Sequence, residues 1–289
     1  MSGLVQHAMD SLVTTEWLAE ALSESDLVVL DASMHLPAAG RDARAEFLDG
    51  HIPGARFFEL ASLKDETSDV PSALPRPDQL AERLASLGVS PDHRIVFYDD
   101  SDVKTAARAW YLCRAHGLEN VAVLDGGLAK WKAEDRALES GELEIAPIET
   151  FELPSPARIR LKADMLANID SGAAQVLDAR DVGRFSGAIE DTVHNLPSGH
   201  IPGSCNLPFP MLYADDGTLK QPDKLRRVIE ATGLDLNQPV ITSCGSGVTA
   251  CILLLALEQV GHGDVALYDG SWLDWASDPD TPKAQDGAH

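Results

Sequence analysis

An internal repeat divides this chain into two halves with the same pattern. The pentapeptide Gly-His-Ile-Pro-Gly at 50–54 returns unchanged at 199–203. Three further blocks repeat in the same order: 28–32 with 175–179, 94–99 with 238–244, and 123–127 with 267–271. Repetition of four blocks in one order predicts two domains that share one fold.

Composition shifts place the boundary between the two halves. Each half closes on a tryptophan, Trp131 or Trp275, and the stretch 138–156 is rich in Glu and Pro, as is typical of a linker. We therefore predict an N-terminal domain over 1–137, a linker over 138–156 and a C-terminal domain over 157–289.

Short apolar runs alternate with longer helical patterns in each half. The helical patterns cover 77–87, 105–117, 222–232 and 249–260. The apolar runs lack a period of two, as expected for strands that are buried on both faces. This alternation predicts an α/β fold in which each domain is a mainly parallel sheet flanked by helices on both faces.

A cysteine follows one of the predicted strands. Residues 244–250 read Cys-Gly-Ser-Gly-Val-Thr-Ala and lie between the apolar runs 239–242 and 251–257, which predicts a strand, a tight glycine loop and a helix. In that geometry backbone N–H groups converge on the Cys244 sulfur and favour its thiolate. Ligands also collect beyond the carboxyl ends of parallel strands. Cys244 is the predicted nucleophile, and the alternative is a buried cysteine that only packs.

The first half has lost this chemistry. Asp99 occupies the position of Cys244, and the loop after it, at 100–104, has no glycine and has gained carboxylates. A carboxylate cannot carry a transferable sulfur, and a loop without glycine wraps its amides around an anion less easily. We predict that the N-terminal domain is non-catalytic.

Charge and composition exclude several classes of function. Lys and Arg number 23 against 46 Asp and Glu, so the formal net charge is -23, which opposes binding to nucleic acid or an anionic membrane. The N-terminus has no basic stretch, and no apolar run is long enough to span a membrane. The four cysteines show no C-x-x-C spacing, so the sequence predicts a cytoplasmic protein without a metal or cofactor.

These motifs resemble those of the tandem rhodanese sulfurtransferases. The resemblance rests on the Val-Leu-Asp-Ala, Gly-His-Ile-Pro-Gly and Asp-Gly-x-x-x-x-Trp blocks and on a cysteine loop in the second half only, and it runs from about Leu12 to Trp275. The loop is most similar to that of the 3-mercaptopyruvate branch, because the thiosulfate branch typically has Arg-Lys where this chain has Gly245 and Ser246.

The resemblance implies a ping-pong transfer of sulfur. Cys244 would take a sulfur from a small-molecule donor as a persulfide and pass it to thioredoxin, glutathione, another thiol or cyanide. Ser246 would act with Cys244, and Arg184 would hold the anionic end of the donor. The remaining substrate-binding positions implied are Gly245, Gly247, Val248 and Thr249, of which Thr249 is alternatively a helix cap.

This chain departs from the family pattern at three positions. Val193 stands where a second substrate arginine is expected, and Ala61 and Ser72 stand where an Asp and a His are expected. The nearby polar alternatives are His194, Asp65 and Asp69. The departures leave thiosulfate as an alternative donor, and a carrier that holds a persulfide without turnover as an alternative function.

Other interpretations compete at single positions. Arg184 is alternatively a surface ion pair with Asp181 or Glu190, and Arg180 is predicted to be structural. A tyrosine phosphatase, which has a similar cysteine loop, needs an arginine where this chain has Ala250. The repeated Gly-His-Ile-Pro-Gly segments are predicted to serve the fold as turns, and Trp131 and Trp275 to be core aromatics.

Overall fold

The computed structural model describes residues 9–193 and 195–286. The first half of the chain forms strands β1 Leu12–Val13, β2 Leu27–Asp31, β3 Arg56–Phe57, β4 Arg94–Tyr98 and β5 Val121–Leu124. Its helices are α1 Thr15–Ala21, α2 Ala43–Asp49, α3 Pro77–Ser86, α4 Ala106–Ala115 and α5 Gly127–Ala133.

The second half repeats this succession of elements. Its strands are β6 Ile159–Arg160, β7 Gln175–Asp178, β8 Cys205–Asn206, β9 Val240–Ser243 and β10 Val265–Tyr268. Its helices are α6 Lys162–Ser171, α7 Val182–Ser186, α8 Pro222–Glu230, α9 Ala250–Gln259 and α10 Ser271–Ser277.

The two halves build two five-stranded sheets with equivalent strand orders. The first sheet is ordered β1-β5-β4-β2-β3 and the second β6-β10-β9-β7-β8. Every paired strand is parallel to its neighbour. The α/β fold with parallel sheets, predicted from the alternation of apolar runs and helical patterns, is confirmed.

The four predicted helices form as α3, α4, α8 and α9, and each ends within a few residues of its predicted bound. Helix α9 is apolar on all sides, and its residues from Ala250 to Leu257 are all buried. A helix that is apolar on all sides must be surrounded by other parts of the protein. The two closing tryptophans, Trp131 and Trp275, are buried at 2% and 0% exposure, so their prediction as core aromatics is confirmed.

The chain separates into two compact units, and one segment from the first half of the sequence belongs to the second unit. The first unit extends to Ser62 and includes Pro77–Ser155, whereas the second contains Leu63–Arg76 and the chain from Pro156 onward. We call Leu63–Arg76 the strap. Its inclusion in the second unit was not foreseen from the repeat, because it depends on long-range hydrogen bonds that no local pattern encodes.

Residues of the predicted linker are hydrogen-bonded to the first unit. The backbone of Glu139 pairs with that of His51, the Gly141 N–H donates to the Leu48 carbonyl, and the Ile148 N–H donates to the Ala85 carbonyl. The predicted domain and linker bounds stay a prediction, but this stretch is attached to the first unit at several points.

Candidate active site

Cys244 lies immediately after β9, at the carboxyl end of the central strand, as the sequence predicts. The residue is 1% exposed, and the Gly247 N–H donates to its Sγ over 3.1 Å. Gly247 has φ +80°, a left-handed conformation that favours glycine and turns the loop back toward the sulfur. The thiol of Cys251 in turn donates to the Gly247 carbonyl over 3.2 Å.

The turn before α10 holds the cysteine loop from one side. The Cys244 N–H donates to the Ser271 Oγ over 3.1 Å, and the Cys244 carbonyl accepts from the Trp272 N–H over 3.0 Å. The Gly245 carbonyl accepts from the Leu273 N–H over 2.8 Å. Three hydrogen bonds from one helix start therefore fix the first two residues of the loop. The sequence analysis found the Asp-Gly-Ser-Trp block that supplies them but gave it no role at the site.

The rest of the loop borders the sulfur with partly accessible side chains. Ser246, Val248 and Thr249 are half-buried, whereas Gly245 and Gly247 are buried. Thr249 occupies the cap position of α9 but makes no side-chain capping bond, so its alternative role as a helix cap is wrong. The roles of these residues toward a substrate stay predictions.

The other three cysteines lie in different surroundings. Cys113 and Cys251 are buried in helices α4 and α9, and Cys205 is half-buried in β8. Burial raises the pKa of the Cys113 and Cys205 thiols, which makes both weaker nucleophiles at neutral pH.

Arg184 lies in α7 and is held by two carboxylates. Its side chain bonds to Asp181, the cap of the same helix, and its Nη1 lies 3.6 Å from the Oδ1 of buried Asp191. Burial opposes its charge, but the bond to Asp181 and the charge of Asp191 outweigh burial and raise the pKa of Arg184. The ion pair with Asp181 is thus present. A role in holding a donor requires the donor's anionic group to join or displace Asp181, whose side chain is 49% exposed.

Arg180 is structural, as predicted. Its side chain is 1% exposed, forms a 2.7 Å ion pair with Asp178 and donates to the Gly199 carbonyl over 2.8 Å. Its guanidinium stacks on the Trp272 ring at 4.4 Å from the ring centroid. Because the Trp272 N–H bonds to the Cys244 carbonyl, this buried pair supports the element that holds the loop.

The three departures from the family pattern fall in different places. Ser72, in the strap, donates from its Oγ to the Ser246 carbonyl over 2.9 Å, so this position does lie at the cysteine loop. Ala61 lies in the first unit and is exposed. Val193 is 49% exposed.

Of the three polar alternatives, only Asp65 has described side-chain partners, and these lie inside the strap. Asp65 accepts from Thr67 and forms a 2.9 Å ion pair with Arg76 inside the strap. Asp69 is exposed. His194 lies outside the described residues.

The equivalent loop of the first unit is filled by its own carboxylate. Asp99 is buried and accepts from the Ser101 N–H over 3.0 Å and the Ala106 N–H over 2.8 Å. Its carbonyl accepts from the Leu128 N–H over 3.0 Å, matching the bond between Trp272 and Cys244. The loop amides that would face a bound anion are therefore occupied by Asp99.

Residues 9–193 and 195–286 contain neither a candidate metal cluster nor a candidate membrane span. No group of three or more His, Cys, Asp or Glu side chains is placed to hold a metal ion. None of the helices in these ranges has the length and apolarity to span a bilayer.

Comparison with known proteins assigns this arrangement to a family. The rhodanese-like domain matches the chain twice, at residues 14–134 and 161–278. The two repeats of the sequence are thus two copies of one known domain, and the chain belongs to the rhodanese-like family.

Relatives that cover almost the whole chain narrow the class to sulfurtransferases. The mouse 3-mercaptopyruvate sulfurtransferase is 41% identical over 92% of this chain and 91% of its own length. The bovine thiosulfate sulfurtransferase is 38% identical over 92% and 91%. The crystal structure of an Escherichia coli 3-mercaptopyruvate sulfotransferase matches with a TM-score of 0.83 and 38% identity, covering 91% of this chain and 99% of that one.

Proposed function

We propose that this protein is a sulfurtransferase that takes sulfur from 3-mercaptopyruvate onto Cys244 as a persulfide and passes it to a thiol or to cyanide. The observation that carries the proposal is the Cys244 sulfur at the end of β9, facing the Gly247 N–H in a glycine loop. Similarity to the mouse and bacterial proteins over nearly the full length supports the same reaction class.

The first half-reaction needs only the thiolate and a proton on the donor. The Cys244 thiolate attacks the sulfur of 3-mercaptopyruvate, and the carbon–sulfur bond breaks with its electron pair left on carbon. The resulting enolate takes up the proton that the donor thiol carried and leaves as pyruvate. Cys244 then carries an anionic outer sulfur, and backbone N–H groups such as that of Gly247 stabilise negative charge at this position.

The second half-reaction restores the enzyme. An acceptor thiolate or cyanide attacks the outer sulfur, the sulfur–sulfur bond breaks and Cys244 departs as thiolate. Thioredoxin and glutathione are acceptors of suitable chemistry. The cytoplasmic location inferred from the sequence stays a prediction.

Thiosulfate is the second candidate donor. The bovine thiosulfate sulfurtransferase matches this chain at 38% identity, close to the 41% of the mouse 3-mercaptopyruvate sulfurtransferase. We favour 3-mercaptopyruvate because Gly245 and Ser246 leave the loop without the positive charges that a divalent anion such as thiosulfate would meet there.

The test is kcat/KM for both donors with one acceptor, measured on wild type and on Cys244→Ser. Wild type should turn over repeatedly and prefer 3-mercaptopyruvate. Cys244→Ser should lose transfer and keep its thermal unfolding curve, since a hydroxyl occupies nearly the same volume but is a far weaker nucleophile. The matched control is Cys113→Ser, which alters a thiol outside the site.

Three results would contradict parts of the proposal. Wild-type activity in Cys244→Ser would exclude this cysteine as the nucleophile. A higher kcat/KM for thiosulfate would reverse the choice of donor. A single release of pyruvate per chain, without turnover in excess acceptor, would identify a carrier.

A further inference from the structure

The strap reaches the cysteine loop at one peptide unit. The Ser72 Oγ donates to the carbonyl oxygen of Ser246 over 2.9 Å. The N–H of that same peptide, which belongs to Gly247, donates to the Cys244 Sγ over 3.1 Å. The described chain has no cis peptide bond, and a trans peptide points its C=O and N–H in opposite directions. Ser72 therefore holds the far side of the peptide that faces the sulfur.

The strap is itself anchored close to this contact. Two residues beyond Ser72, the Leu74 N–H donates to the Asp269 Oδ2 over 2.6 Å. Asp269 is 6% exposed and belongs to the turn that holds Cys244 through Ser271 and Trp272. One turn of the second unit thus fixes both the cysteine loop and the strap that contacts it.

A hydrogen bond to a carbonyl also changes the other end of the peptide. Hydrogen-bonded groups in a chain polarise one another, so a donor at the C=O makes the N–H a stronger donor. Donation to a thiolate or persulfide is a charge-assisted bond, which gains most from a stronger donor. The effect of Ser72 should therefore be larger when Cys244 is ionised than when it is a thiol.

We propose that Ser72 is a positioning residue that orients and polarises the Ser246–Gly247 peptide and so favours the anionic form of the Cys244 sulfur. This inference rests on the proposed role of Cys244 as nucleophile. In this role the strap, which comes from the first half of the sequence, acts on the Cys244 sulfur through one backbone amide.

The experiment measures alkylation of Cys244 by iodoacetamide from pH 5 to 9 on the full chain, with the Cys244 peptide quantified by mass spectrometry. Ser72→Ala should react about two- to fivefold more slowly below the midpoint of the profile, and its midpoint should move to higher pH. Ser72→Thr keeps the hydroxyl and should react like wild type. Turnover by Ser72→Ala should show a lower kcat with little change in KM.

The matched control is Ser68→Ala in the same strap. Ser68 accepts only a local bond, from the Val70 N–H over 3.1 Å to its Oγ, so its loss should leave the alkylation profile unchanged. Unfolding curves of all variants establish that the strap remains folded.

The outcomes separate this inference from the proposed function. If wild type and Ser72→Ala give the same alkylation profile, the role of Ser72 is overturned while Cys244 remains reactive. The same holds if Ser68→Ala or Ser72→Thr slows alkylation as much as Ser72→Ala does. A wild-type Cys244 that alkylates no faster than Cys205 overturns the proposed nucleophile itself.

Discussion

At the scale of single residues, the Cys244 sulfur has a backbone amide of the cysteine loop facing it. The Gly247 N–H lies 3.1 Å from the Cys244 Sγ, whereas burial raises the pKa of Cys113 and Cys205. Apolar burial and a backbone donor have opposite effects on a thiolate. These contacts support the proposal that Cys244 is the nucleophile.

Arg184 is the residue whose role is most open to a direct test. If it holds the anionic end of the donor, Arg184→Ala should raise KM and lower kcat/KM by about 10- to 100-fold, because a charged hydrogen bond is lost. Arg184→Lys should recover part of this loss, since it keeps the charge without the planar fork. Steady-state kinetics with 3-mercaptopyruvate provide the measurement.

The matched control for Arg184 is Arg160→Ala, an exposed arginine of the second unit that bonds to the Ile159 carbonyl. It should leave KM unchanged. If KM is unchanged in Arg184→Ala as well, the role of Arg184 is limited to its ion pairs with Asp181 and Asp191.

A buried aspartate in the first unit lacks the arginine that its counterpart has. Asp178 pairs with Arg180, but Asp31 has Ser33 at the equivalent position and accepts from the Ser33 N–H over 2.8 Å. Burial raises the pKa of Asp31 from 3.8 to about 6, although bonds from Ser33 and Tyr98 oppose the rise. The folded protein therefore binds a proton here more tightly than the unfolded chain does.

This difference predicts a pH-dependent effect of Asp31→Asn. As pH rises from about 4 to 6, Asp31 ionises in the unfolded chain first, so the wild type loses stability that the variant keeps. The stability gain of Asp31→Asn should grow across this window, reach about 3 kcal/mol and stay constant above it. Urea unfolding of both proteins from pH 4 to 7.5 measures the difference. A gain that does not change with pH would show that Asp31 is not the titrating group.

At the scale of elements, the repeated Gly-His-Ile-Pro-Gly segment performs one structural task twice. His51 stacks on Phe47 at 4.1 Å and donates from Nδ1 to the Phe47 carbonyl over 2.8 Å. His200 stacks on Phe185 at 4.1 Å and donates to its carbonyl over 2.9 Å. Each histidine also pairs its backbone with a later segment, through Glu139 or Ala284. The prediction that this motif serves the fold is confirmed.

The two stacks should contribute similarly to stability. His51→Ala and His200→Ala should each lower the free energy of unfolding by about 2 kcal/mol, because each removes a buried ring stack and a hydrogen bond. The matched control is His93→Ala, at a half-buried histidine that bonds to Ser90. This substitution should lower the free energy of unfolding much less. Chemical denaturation measures all three. If neither histidine variant loses more free energy of unfolding than His93→Ala does, the stacked histidines do not stabilise the fold.

At the scale of the whole molecule, two units with equivalent strand orders carry different loops after their central strands. Both carry a turn after the last strand that bonds to the loop, through Leu128 in the first unit and Trp272 in the second. The first loop contains Asp99 and occupies its own amides, whereas the second presents the Cys244 sulfur. The two units thus share one framework, and only the second presents a thiol at this position of the loop.

Local patterns of apolar residues and glycine in the sequence by itself determined the parallel sheets, four of the helices and the place of Cys244. The tertiary structure alone decided which segments that are far apart in the sequence meet at the cysteine loop. The strap brings Ser72 to the cysteine loop across 174 positions of sequence, and it brings the Leu74 N–H to Asp269. Such contacts form only when distant segments pack, so no periodicity or motif in a single sequence specifies them.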